Sequence, residues 1–65
     1  KKMNIRIVDH ENHSQRTTAS PLDLRSFVTV NFGGFPFYRV HKTGTTYDVT
    51  CAITGELLYT VSAAR

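Results

Sequence analysis

Alternating apolar and polar positions predict most of the secondary structure of this chain. At residues 3–8 they alternate with the period of a half-buried strand. The longest run of β-branched and aromatic residues, at residues 27–40, is centred on Gly33-Gly34. Because glycine adopts positive φ angles without steric cost, these two residues favour a type I′ turn and predict a β-hairpin.

Two further turn signals extend the hairpin into a meander. Thr43-Gly44 predicts a second tight turn. The last turn, at residues 53–56, is ambiguous by one residue, and a shift of one residue would move the apolar positions of the last strand to the other face. We prefer a three-residue loop with Gly55 in the left-handed conformation, because it gives one continuous apolar face. That face would carry Phe27, Tyr38, Val40, Tyr47, Val49, Cys51, Leu57, Tyr59 and Val61.

The segment between the first strand and the hairpin has no alternation. Residues 9–18 contain no aliphatic or aromatic side chain, which predicts a mobile loop. Residues 20–26 carry the start signals of a helix: Ser20 can cap it, Pro21 suits the first helical position, and Asp23 would lie in the first turn. We therefore expect one short helical turn before the hairpin.

The pattern as a whole predicts a single, mainly β domain, α+β at most, over residues 1–65. Its strands form a small antiparallel β-meander with one short helical turn near residues 20–26. The second face of the sheet is left with five large apolar side chains, which are too many to leave in water. Either the sheet curls into a five-stranded barrel, or the helical turn and the first strand cover this face, or another molecule covers it. The five are Val28, Val30, Phe32, Phe35 and Phe37.

Length and cysteine content bound the class of protein. A chain of 65 residues buries only about 60% of the surface that its unfolded form exposes, so its stability is marginal. Cys51 has no partner for an intramolecular disulfide, which leaves self-association, for example a homodimer, as an aid to stability. A lone thiol favours a reducing compartment, and no apolar run approaches the roughly 18 residues of a membrane span. With no leader sequence at its start, we expect a cytoplasmic protein and no membrane partner.

The charge pattern is weakly basic. The formal net charge is +3, but Lys1 and Lys2 precede Met3, and we interpret these two as a cloning remnant. Without them the net charge is +3 minus 2, or +1. Because the remaining bases form no run, scattered solubilising charge is favoured over a footprint for a polyanion.

Two groups of residues carry candidate chemistry. His10 and His13, with Asp9 and Glu11, are metal-ligand types at close spacing, but a polar loop favours solvated side chains over a metal site. Cys51 has apolar predicted neighbours, which favours a structural thiol over a nucleophile. We therefore expect no enzyme, no metal and no cofactor.

The sequence favours a small interaction protein, a regulator or an inhibitor such as mobile elements encode. It would dock a protein partner or a second copy through an aromatic sheet face or a sheet edge. The candidate partner-binding residues are Phe32, Phe35, Phe37, Arg39 and Lys42. The alternative is a nucleic-acid-binding small β-barrel whose exposed aromatic residues stack on single-stranded bases beside Arg25, Arg39 and Lys42.

Overall fold

A computed structural model describes residues 2–64, and within them it places five β-strands and one short helical segment. The helix α1 comprises Leu24–Val28 and continues as a π-helical turn, Thr29–Gly33. The strands are β1 Met3–Asp9, β2 Ser14–Ser20, β3 Tyr38–Thr43, β4 Thr46–Cys51 and β5 Leu57–Ala63.

The five strands form one sheet in the order β2-β1-β5-β4-β3, and every neighbouring pair is antiparallel. The mainly β, antiparallel prediction is confirmed. Strands β3, β4 and β5 form a meander, and the hairpin of β1 and β2 adds to the free side of β5. Because β2 and β3 lie at the two ends of this order, the sheet is open, and the described residues do not close into a barrel.

The helical segment covers one face of the sheet. Val28 of this segment is buried and packs against the core side chains of the central strands. These are Ile5, Ile7, Val49 and Val61. Leu24, Phe27 and Phe32 pack against this core from the same segment. These four helical positions follow the i, i+3, i+4, i+8 spacing of an amphipathic helix. Val30 points away from the sheet and is 66% exposed.

The predicted hairpin at Gly33-Gly34 is therefore wrong, because residues 24–33 are helical. Local hydrogen bonds favour the helix despite its β-branched residues. The Asp23 carboxylate caps it by accepting from the Ser26 N–H at 2.8 Å. Farther along, the Thr29 hydroxyl donates to the Arg25 carbonyl at 2.9 Å.

The short helix predicted near residues 20–26 exists, but it begins later, at Leu24. Ser20 is the last residue of β2, and its hydroxyl accepts from the Leu22 N–H at 3.0 Å instead of capping the helix. With the helix in place, Val28 and Phe32 face the protein's own sheet. The expectation that all five apolar side chains share one face of the sheet is therefore wrong.

The loop predicted at residues 9–18 is wrong from Ser14 onward, because β2 pairs with β1 along its whole length, from Asp9 opposite Ser14 to Met3 opposite Ser20. Because β2 is an edge strand, it does not need a row of buried apolar side chains. Alternation of apolar and polar residues therefore could not predict this strand. The connecting turn is organised by Asp9, whose carboxylate accepts from the backbone N–H groups of Glu11 and Asn12. A bond from the Asn12 side chain, followed by these two backbone bonds, lowers the pKa of Asp9.

The last two turns retain the predicted faces. The β3–β4 turn comprises Gly44 and Thr45, one residue later than expected, and Gly44 has a φ of +61°. Gly55 adopts the left-handed conformation that we predicted, with a φ of +77°. Strand pairing confirms the apolar face at two positions, since Tyr47 lies opposite Val61 and Val49 lies opposite Tyr59. A bulge follows at the start of β5, where Thr50 pairs with Leu57.

Candidate interaction surface

Two loops meet at one end of the sheet. The loop that leaves the helical segment ends at Phe37, whose carbonyl accepts a hydrogen bond from the Ala52 N–H at 2.9 Å. Ala52 begins the β4–β5 loop, which is closed by a bond from the Gly55 N–H to the Cys51 carbonyl at 2.8 Å. This bonding holds the two loops side by side.

Four large apolar side chains are exposed on these loops and on the adjoining start of β5. Phe37 is 64% exposed and Ile53 is 82% exposed, while Phe35 and Leu57 are 50% and 40% exposed. We call this group the apolar end. Single exposed apolar residues are common on protein surfaces, whereas clusters of them mark binding sites.

A cluster of rings supports the apolar end from below. The Phe35 ring meets the Tyr38 ring edge to face at 6.1 Å between centroids. Tyr38 in turn contacts the rings of Phe32 at 5.7 Å and Tyr59 at 6.4 Å. Such contacts add about 0.5–1.5 kcal/mol per pair beyond area burial, so they fix Phe35 in place.

The five predicted binding residues are divided between three locations. Phe35 and Phe37 lie at the apolar end, whereas Phe32 is half-buried in the ring cluster. Arg39 and Lys42 are both exposed on the edge strand β3. They are three residues apart, so their side chains project from opposite faces of the sheet.

Sequence reasoning missed Ile53 and Leu57. Ile53 lies in a turn directly before Thr54-Gly55, where an aliphatic side chain has no core to enter. An isoleucine in a tight turn is therefore the signal that could have identified it. Leu57 was assigned to the apolar face by strict alternation, which the bulge at the start of β5 interrupts.

The outer edge of β3 has free backbone groups. Since the Phe37–Ala52 pair is hydrogen bonded, the alternation of an antiparallel ladder directs the backbone of Arg39 and His41 toward β4. The N–H and C=O groups of Val40 and Lys42 consequently point away from the sheet. No strand of the described chain lies on that side of β3.

The sheet face opposite the helix is open and polar. Most of its side chains are polar, and its apolar ones include Val8 opposite Thr60 and Leu57 opposite Thr50. Strand registers place Arg6, Thr17, Arg39, His41, Asp48, Thr50, Thr60 and Ser62 on it. Within residues 2–64 no phenylalanine or tyrosine of a strand shares this face, because Tyr38, Tyr47 and Tyr59 point to the helix side. This face therefore offers hydroxyl and charged groups without a surface on which bases could stack.

One row of this open face carries acid–base groups. His10 Nε2 and the Thr60 hydroxyl share a hydrogen bond of 2.7 Å, Asp48 lies opposite Thr60, and His41 lies opposite Asp48. An imidazole beside a hydroxyl can act as a base toward a nucleophile, but adjacent strands are about 4.8 Å apart, so His41 lies roughly 10 Å from Thr60. No group of three metal-ligand side chains occurs in the described part of the chain. The row is a flat, hydrated surface and not a pocket.

Cys51 lies at the end of β4, half-buried under the β4–β5 loop. Hydrogen bonds to its sulfur from the Thr54 side chain, then from the Thr54 and Ile53 backbones, lower the pKa of the thiol. The pKa of this thiol is therefore set mainly by the polar β4–β5 loop and not by an apolar pocket.

A small cleft of about 290 Å³ opens on the helix side of β2. Its walls include Asp9, Arg16, Asn31 and Tyr59, and burial raises the pKa of the Tyr59 phenol. Ligand pockets are usually about 300–1,000 Å³, so this cleft is at the lower limit for a small molecule. Its carboxylate is already engaged in organising the β1–β2 turn.

Comparison with known proteins finds no match, whether with family models, with curated proteins or with solved structures. Over residues 2–64, no helix has the length and hydrophobicity that a membrane crossing requires.

Proposed function

We propose that this chain is a non-enzymatic interaction module that docks a protein partner through its apolar end. The clustering of Phe35, Phe37, Ile53 and Leu57 carries the proposal. Phe35, Phe37 and Ile53 come from two loops that are hydrogen bonded to each other, Leu57 begins β5, and the exposed fractions of the four reach 82%. Interface centres are enriched in aromatic and large apolar residues that lose contact with water on binding.

The supporting rings make this surface suitable for binding. An interface residue contributes most to the binding free energy when it already has its bound conformation before the partner binds. The contact of the Phe35 ring with Tyr38, and the bond between Phe37 and Ala52, restrict both loops in this way. A module of this kind acts as a regulator or an inhibitor by occupying a surface of its partner.

The distribution of charge and rings favours a protein over a nucleic acid. Arg6 lies on the open face without phenylalanine or tyrosine beside it, and Arg25 lies on the helix. Arg39 is two residues from the exposed Phe37. Single-stranded nucleic acids bind where a basic groove and stacking rings coincide. In this fold the exposed rings and most of the basic side chains occupy different places.

The proposal is tested by capture of partners with matched baits. The test variant F37S/I53S removes the two most exposed side chains of the apolar end, and the control V30S removes an equally exposed apolar side chain from the outer side of the helix. We expect the wild-type and V30S baits to capture the same protein and F37S/I53S to lose it, with thermal melts showing that all three are folded. The captured protein is then purified and titrated to establish saturable 1:1 binding.

Three other outcomes contradict the proposal. Equal capture by F37S/I53S and wild type would place binding elsewhere. Capture that disappears after nuclease treatment would favour the nucleic-acid alternative. Sedimentation that shows a stable homodimer, dissociated by F37S/I53S, would identify a second copy as the occupant of the apolar end.

A further inference from the structure

We infer that the free edge of β3 receives an extended segment of the partner, which pairs with it as a sixth strand. The segment carries carboxylates along β3 and ends in a large apolar residue at Phe37. This inference rests on the proposed function, because it names the partner chemistry at the same end of the molecule.

The backbone geometry provides the docking positions. Val40 and Lys42 each present an outward N–H and C=O, and the Tyr38 carbonyl also points outward. The Tyr38 N–H is already used, since it donates to the Phe35 carbonyl at 3.3 Å. An added antiparallel strand can therefore exchange bonds in pairs with Val40 and Lys42 and then reach the apolar end. Peptide recognition by strand addition depends on such main-chain bonds for affinity and on adjacent side-chain sites for specificity.

The charges of β3 select the partner. The strand YRVHKT carries Arg39, His41 and Lys42 and no carboxylate. Asp48, on the neighbouring strand, lies opposite His41 and accepts from the Thr43 hydroxyl, so it is one strand removed from the edge. Opposite charges directly across an antiparallel pair are favourable and like charges are unfavourable. Glutamate or aspartate opposite Arg39 and Lys42 fits this edge.

The same charges disfavour a second copy of this chain as the strand that pairs with the β3 edge. Two β3 strands paired about a two-fold axis would place basic side chains against basic side chains. Pairing of β3 with the β2 edge of another copy would set it against Arg16, again without a carboxylate on the strand SQRTTAS. That contact would also be head to tail and would grow into an open-ended sheet. Edge lysines and arginines commonly prevent such self-pairing, and an acidic segment turns the repulsion into attraction.

The probe is a synthetic peptide, acetyl-Thr-Glu-Thr-Val-Glu-Val-Phe-amide, designed for antiparallel pairing. Its two glutamates lie opposite Lys42 and Arg39, its fourth residue lies opposite Val40, and its phenylalanine reaches Phe37. We expect saturable 1:1 binding by calorimetry at low salt. The matched peptide with lysine in place of both glutamates should bind at least about tenfold more weakly, a difference of about 1.4 kcal/mol.

Backbone pairing is tested without altering the protein. N-methylation of the fourth peptide residue removes a hydrogen that points at Val40, whereas N-methylation of the fifth removes one that points away from β3. The first change should abolish binding and the second should be tolerated. Equal effects of the two methyl groups, or equal binding of the glutamate and lysine peptides, would overturn the inference.

The outcomes also separate this inference from the proposed function. If neither peptide binds at millimolar concentration while F37S/I53S still loses a captured protein, the edge inference fails and the proposed function stands. If the glutamate peptide binds with the expected N-methyl pattern but F37S/I53S captures partners normally, the edge is the site and the apolar end is not. The charge-reversed variant R39E/K42E should prefer the lysine peptide, and its failure to do so would remove the charge argument.

Discussion

The comparison of Val28 with Val30 tests the helical segment most sharply. In a strand these two residues would share one face, because side chains two positions apart point the same way. In the structure Val28 is 2% exposed within the core and Val30 is 66% exposed on the outer side of the helix. Substitution of each by alanine therefore has a different expected effect under the two conformations.

The magnitude follows from burial. Val28→Ala removes two buried methyl groups at about 0.8 kcal/mol each, and a residual cavity raises the loss to about 2 kcal/mol. Alanine recovers up to about 0.5 kcal/mol through its higher helix propensity, which leaves a net destabilisation of about 1.5 kcal/mol. Val30→Ala loses little contact and gains the same propensity, so it should be neutral or stabilise by up to about 0.5 kcal/mol.

The measurement is equilibrium unfolding by heat and by urea, followed by circular dichroism. For a domain of this size the loss at Val28 corresponds to a fall in Tm of about 6–12 °C. The Tm of V30A should equal or exceed that of the wild type. Equal destabilisation by both substitutions would refute the helix and restore a strand at this position.

Three further predictions concern turns and titrating groups. Gly55→Ala should destabilise the protein by about 1–2 kcal/mol because Gly55 has a φ of +77°. Gly34→Ala should have little effect, because Gly34 has a φ of −93° and no atom lies within 4 Å of an added Cβ. Thermal melts of both variants measure the difference. The Cys51 thiol should react with iodoacetamide at a lower pH than a free cysteine does, and Thr54→Val should move that midpoint upward, since Thr54 is the main cause of the lowered pKa. Hydrogen bonds from Ser26 lower the pKa of Asp23 in the folded state. The folding free energy that this carboxylate contributes is therefore present above its unfolded pKa and is lost as the pH falls through its folded pKa. Acid titration should show a smaller loss of folding stability in Asp23→Asn than in the wild type.

The sequence predicted those elements whose burial alternates. In β1, Ile5 and Ile7 are buried while Arg6 between them is exposed, which is the pattern that identified the strand. Gly55 adopts the left-handed conformation that we predicted, and the faces of β4 and β5 were assigned correctly at Tyr59 and Val61 but not at Leu57, beside the bulge. These elements were predictable because a single physical requirement dominates each of them. In β1 it is the burial of alternate side chains, and at Gly55 it is the positive φ.

The helix and β2 were missed for two different reasons. Residues 27–33 are rich in β-branched and aromatic residues, and propensity outweighed the helical spacing of Leu24, Val28 and Phe32, which was present in the sequence. The Asp23 cap was also readable there, but it was placed in the first turn instead of before it. β2 carries no apolar stripe, because its neighbour β1 supplies the buried residues and its own outer edge meets water.

The candidate site was predictable only in part. Phe35 and Phe37 were selected for their aromatic character, and the structure places both on the surface. Their proximity to Ile53 depends on the bond between Phe37 and Ala52, a contact between loops that no local pattern encodes. The free edge of β3 depends on strand order, which sets β3 at the end of the sheet after the predicted partner strand proved to be a helix.

Amide hydrogen exchange along β3 tests most directly whether this edge is free and able to receive a partner strand. In the unbound protein, the N–H groups of Val40 and Lys42 should exchange quickly, and those of Arg39 and His41, which pair with β4, should exchange slowly. Addition of the glutamate peptide should slow Val40 and Lys42 and leave the other two unchanged. Protection of Val40 and Lys42 before any peptide is added, or no change in them at saturating peptide, would contradict a free edge that docks an extended acidic segment.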